Sequence, residues 1–201
     1  MSSVILLFLL PFIGAVLCAL LPARHTDKCA MGAAGGMVLS LLWLLLAKPE
    51  GSWQSLPLTW RWLEGYFREG LFGFLLDGLS LLLLLVVVLL GFLVVLYATA
   101  YLGAGNREHA GAEGKPRHHA WLLLFITAMI GVALSPNLLQ LYFFWEMTTL
   151  CSWALISHYR NPESLRAGFK ALLMTFSGGL FFALGLVLLY VHTGSFAFDA
   201  L

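Results

Sequence analysis

Apolar residues run through this chain in six stretches, and nearly all of its charge collects between them. The stretches cover about residues 4–21, 29–47, 79–102, 120–134, 137–156 and 165–192. Most approach the roughly 20 residues that an α-helix needs to cross a bilayer. None alternates apolar and polar residues with the period of two that a half-buried strand would show. The pattern predicts an all-α fold, a polytopic membrane helix bundle of about six transmembrane helices forming one membrane domain over residues 1–201. Pro22 and Arg24 close the first stretch, and Ser135-Pro136 ends the fourth, where proline cannot donate to the helix ladder. The first stretch lacks a basic leader, and Leu-Pro-Ala-Arg24 is a poor cleavage site, so a retained helix is expected rather than a secretory signal.

Composition strengthens this reading. Hydrophobic residues make up 61% of the chain and charged ones 10%, with a mean hydropathy of +0.91, far from the values of a soluble domain. The lipid bilayer is therefore the first expected partner. A net charge of +1, with no basic patch interleaved with aromatics, gives no footing for nucleic acid. Cys18, Cys29 and Cys151 form no CxxC pair and meet no clustered histidines, which makes them spectator thiols. No catalytic, metal-ligating or cofactor-binding residue is expected.

The distribution of Lys and Arg sets an orientation. Loops after the first, third and fifth stretches carry seven, Arg24, Lys28, Arg107, Lys115, Arg117, Arg160 and Arg166, against three, Lys48, Arg61 and Arg68, in the other two. The positive-inside rule then places the odd-numbered loops in the cytoplasm and both ends of this chain outside. Residues 51–76 mix Trp53, Trp60, Trp62, Tyr66 and Phe67 with Arg61, Glu64, Arg68 and Glu69, a pattern suited to the headgroup region as short strands or as an interfacial helix. Residues 103–119, rich in glycine and charge, read as an aqueous loop.

Against this background Glu146 stands out, because it sits in the middle of an apolar stretch. A carboxylate there costs on the order of 3 kcal/mol on insertion scales, and such residues mark ion or proton pathways. Helical steps of three and four place Tyr142, Glu146, Thr149 and Trp153 on one side of the fifth helix. Arg166, Lys170 and Ser177 share a side of the sixth by the same rule. A short loop joins the two helices, so they are expected as antiparallel neighbours. Counted from that loop, Glu146 and Lys170 lie roughly 9 Å apart along the axis. That separation suits a hydrogen-bonded or water-linked relay, while Lys170 also fits a side chain snorkelling to the interface. The chemistry such a pair supports is proton transfer, since an acid in an apolar site changes its protonation when a positive neighbour moves or loses charge. Gly178-Gly179 and Gly185 would let helices approach closely. Asp77 sits at the mouth of the third helix, where it fits a helix cap as well as a conducting group.

The run Phe-Phe-Trp-Glu146-Met-Thr-Thr-Leu-Cys-Ser-Trp-Ala-Leu-Ile-Ser157, followed by Arg166-Ala-Gly-Phe-Lys170-Ala-Leu-Leu, resembles the antiporter-like subunits of respiratory complex I. It is equally similar in kind to those of the multi-subunit cation/proton antiporters and membrane-bound hydrogenases. Asp77-Gly-Leu-Ser and Asn106-Arg-Glu-His109 fit the same pattern, and with the Thr-Gly-Ser-Phe-Ala tail the likeness points to component D of hydrogenase 4, the formate hydrogenlyase type. The resemblance implies a proton-translocating subunit without a redox centre, embedded beside other membrane subunits in a bacterial or archaeal cytoplasmic (inner) membrane. It would couple electron transfer to the movement of protons or sodium ions. By this resemblance Glu146 matches the family's fifth-helix glutamate and Lys170 its sixth-helix lysine. Asp77, Thr149, Arg166 and Ser177, from the helix mouth and faces above, are candidate accessory positions. Full members have about fourteen helices in two inverted halves, so this chain corresponds to the N-terminal part, either as a fragment or as a truncated form. The alternatives are a subunit of a sodium/proton antiporter that has no redox partner, and a truncated structural membrane subunit.

Overall fold

The structure is a computed structural model that describes residues 2–47, 53–54, 72–103 and 114–198. Six helices account for nearly all of it: α1 (Ser2–Leu20), α2 (Ala23–Leu46), α3 (Gly78–Tyr101), α4 (Lys115–Ala133), α5 (Leu138–Ile156) and α6 (Pro162–Thr193). Each apolar stretch of the sequence became one helix. Two begin earlier than hydropathy suggests. α2 starts at Ala23 and takes Arg24, His25, Asp27 and Lys28 into its first turns, and α4 starts at Lys115, with Pro116 at the second helical position. Residues 115–119 are therefore helix and not aqueous loop, because Lys115 and Asp27 pair at 2.5 Å and tie the two polar helix starts together. Residues 104–113, including Asn106-Arg-Glu-His109, lie outside the described residues.

α1 packs on α2 and α4, α2 on α3 and α4, α3 on α4, α4 on α5, and α5 on α6. The core lies among the first four helices, where Leu7, Met37, Leu84, Val88, Leu123 and Ile130 are fully buried. The outer surface is apolar too. Leu82, Leu90, Leu93, Phe181, Leu188 and Val191 all face outward, a surface that is costly in water and stable in hydrocarbon. α2, α3 and α6 are long and apolar enough to cross a membrane on those grounds alone. α1 is apolar over Val4–Leu20 but shorter. α4 and α5, at 19 residues each, are diluted by Lys115, Arg117, His118 and His119 in one and by Gln140 and Glu146 in the other. Both helices turn polar groups into the bundle: His119 is buried at the polar start of α4, and Gln140 and Thr149 are buried along α5.

Of the expected interfacial segment 51–76, the described parts pair as two short antiparallel strands, β1 (Trp53–Gln54) and β2 (Leu75–Leu76), with Trp53 opposite Leu76. Residues 55–71, with Trp60, Trp62, Tyr66 and Phe67, lie outside the described residues. Beside β2, Gly73 donates to Gln140 Oε1 and accepts from Gln140 Nε2, both at 2.9 Å, and Leu75 N–H donates to the Leu134 carbonyl at 2.8 Å. The segment before α3 is thereby fastened across the starting end of α5.

Candidate functional site

α5 is held at both ends, which fixes the height of Glu146. At its start Asn137 caps the helix by accepting from Gln140 N–H at 2.8 Å, and Leu138 N–H donates to the Phe196 carbonyl at 3.0 Å. At its finish Ser157 N–H donates to the Trp153 carbonyl, and a turn leads to Asn161, which caps α6 by accepting from Ser164 N–H at 2.7 Å. Arg160 in that turn has φ of 53°, a left-handed conformation that side chains rarely adopt. Glu146 is nine residues past Asn137 and eleven before Ser157, so about 13 Å and 16 Å of helix separate it from the two ends. It sits near mid-span.

The carboxylate of Glu146 faces α6 at Gly179. A methyl group added to Gly179 would overlap Oε1, so the absence of a side chain there is what admits the acid between the helices. Ser157 and Gly168 repeat the arrangement: a methyl at Gly168 would overlap the Ser157 hydroxyl. Both polar residues on α5 and both glycines on α6 are eleven apart, in opposite chain directions, which fixes the antiparallel register of the seam. Aromatic rings wall the site on the side of Phe182, which takes the ring of Tyr142 edge-on at 5.5 Å and that of Trp145 at 6.5 Å. Glu146 Oε1 is buried and has no hydrogen-bond partner among the described residues.

The other expected site residues take varied places. Thr149 is buried one turn along from Glu146. Trp153, a further turn on, lies against Gly168, so Tyr142, Glu146 and Trp153 of the expected face meet α6. Lys170 and Arg166 are exposed, and neither forms an ion pair among the described residues. With Gly179 opposite Glu146, Lys170 lies nine residues nearer the loop, about 13 Å along the axis rather than about 9 Å. The structure does not bring Lys170 and Glu146 together. Ser177 is exposed and donates its hydroxyl proton to the Leu173 carbonyl. Asp77 caps α3, accepting from Ser80 N–H at 2.7 Å, and that bond holds its carboxyl below the usual carboxylate range.

One cluster was not legible as a site in the sequence. His118 and His119 at the start of α4 meet His158 from the turn after α5, with ring centroids 5.8 Å and 4.9 Å apart along the series. Arg117 donates to the His158 carbonyl at 2.6 Å, and Asp27 of α2 lies 3.6 Å from His119 Nε2. The signal was three histidines at one end of the bundle, but nothing in their spacing joins residue 158 to 118 before the helices are packed.

Two family models match. NADH:quinone oxidoreductase/Mrp antiporter, TM, covers residues 135–201, and NADH-Ubiquinone oxidoreductase (complex I), chain 5 N-terminus, covers residues 69–109. The chain is 35% identical over 204 residues to NADH-quinone oxidoreductase subunit L of Pseudomonas aeruginosa and 36% over 207 residues to that of Escherichia coli. These alignments take in 97% and 98% of this chain. The chain belongs to the antiporter-like family of complex I and Mrp membrane subunits. It spans about a third of those relatives, 32% of each. A putative antiporter subunit of Staphylococcus aureus is 39% identical over 121 residues, 60% of this chain and 14% of that one.

The family's fold is seen in solved complexes as well. The Mrp complex from Dietzia sp. superposes with a TM-score of 0.77 at 23% identity, over 97% of this chain and 20% of that one. An archaeal membrane-bound sulfane sulfur reductase gives 0.76 at 19% identity, over 98% and 39%. At such identities these neighbours speak for the helical fold alone. The finer likeness to component D of hydrogenase 4 is not carried by these matches.

Proposed function

We propose that this antiporter-like chain is a proton-translocating membrane subunit, or the N-terminal part of one, in an oxidoreductase complex of the complex I type. Glu146 is the group that takes up and releases the proton. The observation that supports this most is the seat of Glu146: a carboxylate at mid-span, admitted by Gly179 and walled by aromatic rings, with one oxygen buried and unpaired. An ionised acid left unpaired in such a place is costly, whereas one that gains and loses a proton as its surroundings change has a use for it. Lys170 and Arg166, exposed near the loop, act from a distance on the approach to the seam rather than as partners of the acid. Thr149 and Ser177 offer hydroxyls on α5 and α6, and Asp77 serves the α3 cap. Other membrane subunits are the partners, in a bacterial cytoplasmic membrane with the basic loops inside. The chain supplies no redox group in this reading, and electron transfer belongs to those partners.

A second reading has one observation of its own. The match to an antiporter subunit of Staphylococcus aureus allows the same site to exchange protons against sodium without a redox partner. Both readings put Glu146 on the path. The test is Glu146→Gln in the full-length protein within its complex, reconstituted in vesicles. Proton translocation is expected to fall by about a hundredfold, the scale of losing one positioned proton-transfer group, while subunit content stays that of wild type. Normal coupling in Glu146→Gln removes Glu146 from the path. Dependence of proton movement on an electron donor separates the oxidoreductase reading from the antiporter one.

A further inference from the structure

Buried polar side-chain atoms that lack a hydrogen-bond partner are rare, and each calls for a physical reason. Among the described residues there are six, belonging to Asp27, His118, His119, His158, Ser157 and Glu146. Their order is spatial. Asp27 faces His119, the rings of His119, His118 and His158 follow one another, Ser157 precedes His158 in the chain, and Ser157 and Glu146 open onto the same seam.

We propose that Asp27, His119, His118 and His158 form a proton-collecting site at the basic end of the bundle, which supplies Glu146 along the seam between α5 and α6.

The decisive geometry is at His119. Its Nδ1 lies 3.1 Å from the Lys115 carbonyl oxygen, which can only accept, so Nδ1 carries the ring proton and donates it. Nε2 is then a bare acceptor, and 3.6 Å away it faces Asp27 Oδ1, another acceptor. Two acceptors facing each other make a socket for one proton. A proton taken up at Nε2 turns the contact into a charge-assisted ion pair, and the only bond made is N–H. Asp27 is the entrance, since its side chain is 35% exposed while that of His119 is fully buried. Lys115 occupies the other Asp27 oxygen at 2.5 Å, which leaves Oδ1 for the histidine.

His118 and His158 lie ahead of and between the apolar spans and receive the proton next. Arg117, Arg160 and Tyr159 flank them, Tyr159 meeting Tyr101 from the end of α3 at 3.4 Å, while Arg24, His25 and Lys28 share the Asp27 end of α2. Burial lowers His118 to about 4 and lowers His158 too, with Arg117 and Arg160 adding to the effect on His158. Burial thus works against a lasting charge on either ring. His119 is lowered by burial as well, but Asp27 opposes that shift, so it is the ring of the three that an adjacent carboxylate helps to protonate. From Ser157 to Glu146 the seam runs about 16 Å, and Thr149, between the two in the chain, is buried.

This rests on Glu146 as the proton carrier, and the experiment separates the two. In the full-length protein within its complex, His118→Phe with His158→Phe keeps two rings of similar size and removes the acceptors. Asp27→Asn with Lys115→Met removes the collecting carboxylate without stranding its lysine. Initial rates of proton translocation are measured while pH on the basic face is stepped from about 6 to 8. Both variants are expected to match wild type at the acid end and to fall behind it by about tenfold at the alkaline end, where proton supply limits. Glu146→Gln is expected to stay about a hundredfold below wild type throughout. If both histidine and aspartate variants track wild type across the range while Glu146→Gln stays that far below it, the collecting site is refuted and the role of Glu146 stands. If Glu146→Gln pumps normally, that role fails instead. A uniform loss at every pH, with normal subunit content, also refutes the collecting site, because a structural defect would not recover in acid. Asp27→Glu should restore the alkaline rate, and its failure to do so counts against a carboxylate at the entrance.

Discussion

At the scale of single residues, the seat of Glu146 depends on a side chain that is not there. Gly179 leaves the gap the carboxylate fills, while Gly178, beside it, has open space where a Cβ would go. The two glycines therefore make a matched pair for mutation. Gly179→Ala forces either the acid or α6 to move, an overpacking cost of about 1–3 kcal/mol, and proton translocation should drop at least tenfold, the scale of one misplaced transfer group. Gly178→Ala should be neutral in both respects, and equal losses in the two variants would mean that the helix, not the seat of the acid, was disturbed. The mid-helix place of Glu146 was legible from sequence because a lone acid in an apolar run breaks a strong pattern. Its neighbour was not. The Gly178-Gly179 pair signalled close packing, but which of the two faces α5 is a matter of helix rotation that hydropathy leaves open. The same holds for Lys170: its helix and its charge were plain, yet a shift of a few residues in register moved it from about 9 Å to about 13 Å along the axis.

At the scale of elements, the helices were legible because burial in lipid leaves a long apolar run few other options. The polar starts of α2 and α4 were not, since each looks like loop until its charge finds the other's, as Asp27 and Lys115 do. Long-range pairs of this kind hold no local signal. Gln140 shows the same limit. It reads as one polar residue near a helix start, but it is buried, and its amide makes two hydrogen bonds to Gly73 that pin the segment before α3 onto α5. Gln140→Leu would strand a buried N–H and a buried carbonyl, each costing about 1–3 kcal/mol. Hydrogen exchange at Gly73 should rise sharply in that variant, and protection unchanged from wild type would show that the strap is held by Leu75 and β2 instead.

At the scale of the whole molecule, the four-helix core and the α5–α6 pair have different characters. The core is filled with large apolar side chains, whereas the seam is built from glycine on one side and polar groups on the other. α6 leans on α5 and presents most of its length outward, with Phe181 and Val191 each 76% exposed. A rigid core carrying a small-residue seam positions an acid without closing it in. The central claim is that Glu146 changes protonation as the complex works. Infrared difference spectroscopy of the complex under turnover measures this at the carboxyl stretch, with Glu146→Gln identifying the band. A band that rises and falls with turnover in wild type and is missing from Glu146→Gln is the expected result. A difference spectrum in the carboxyl region that is the same in both proteins would contradict the claim, leaving Glu146 as a fixed part of the helix packing.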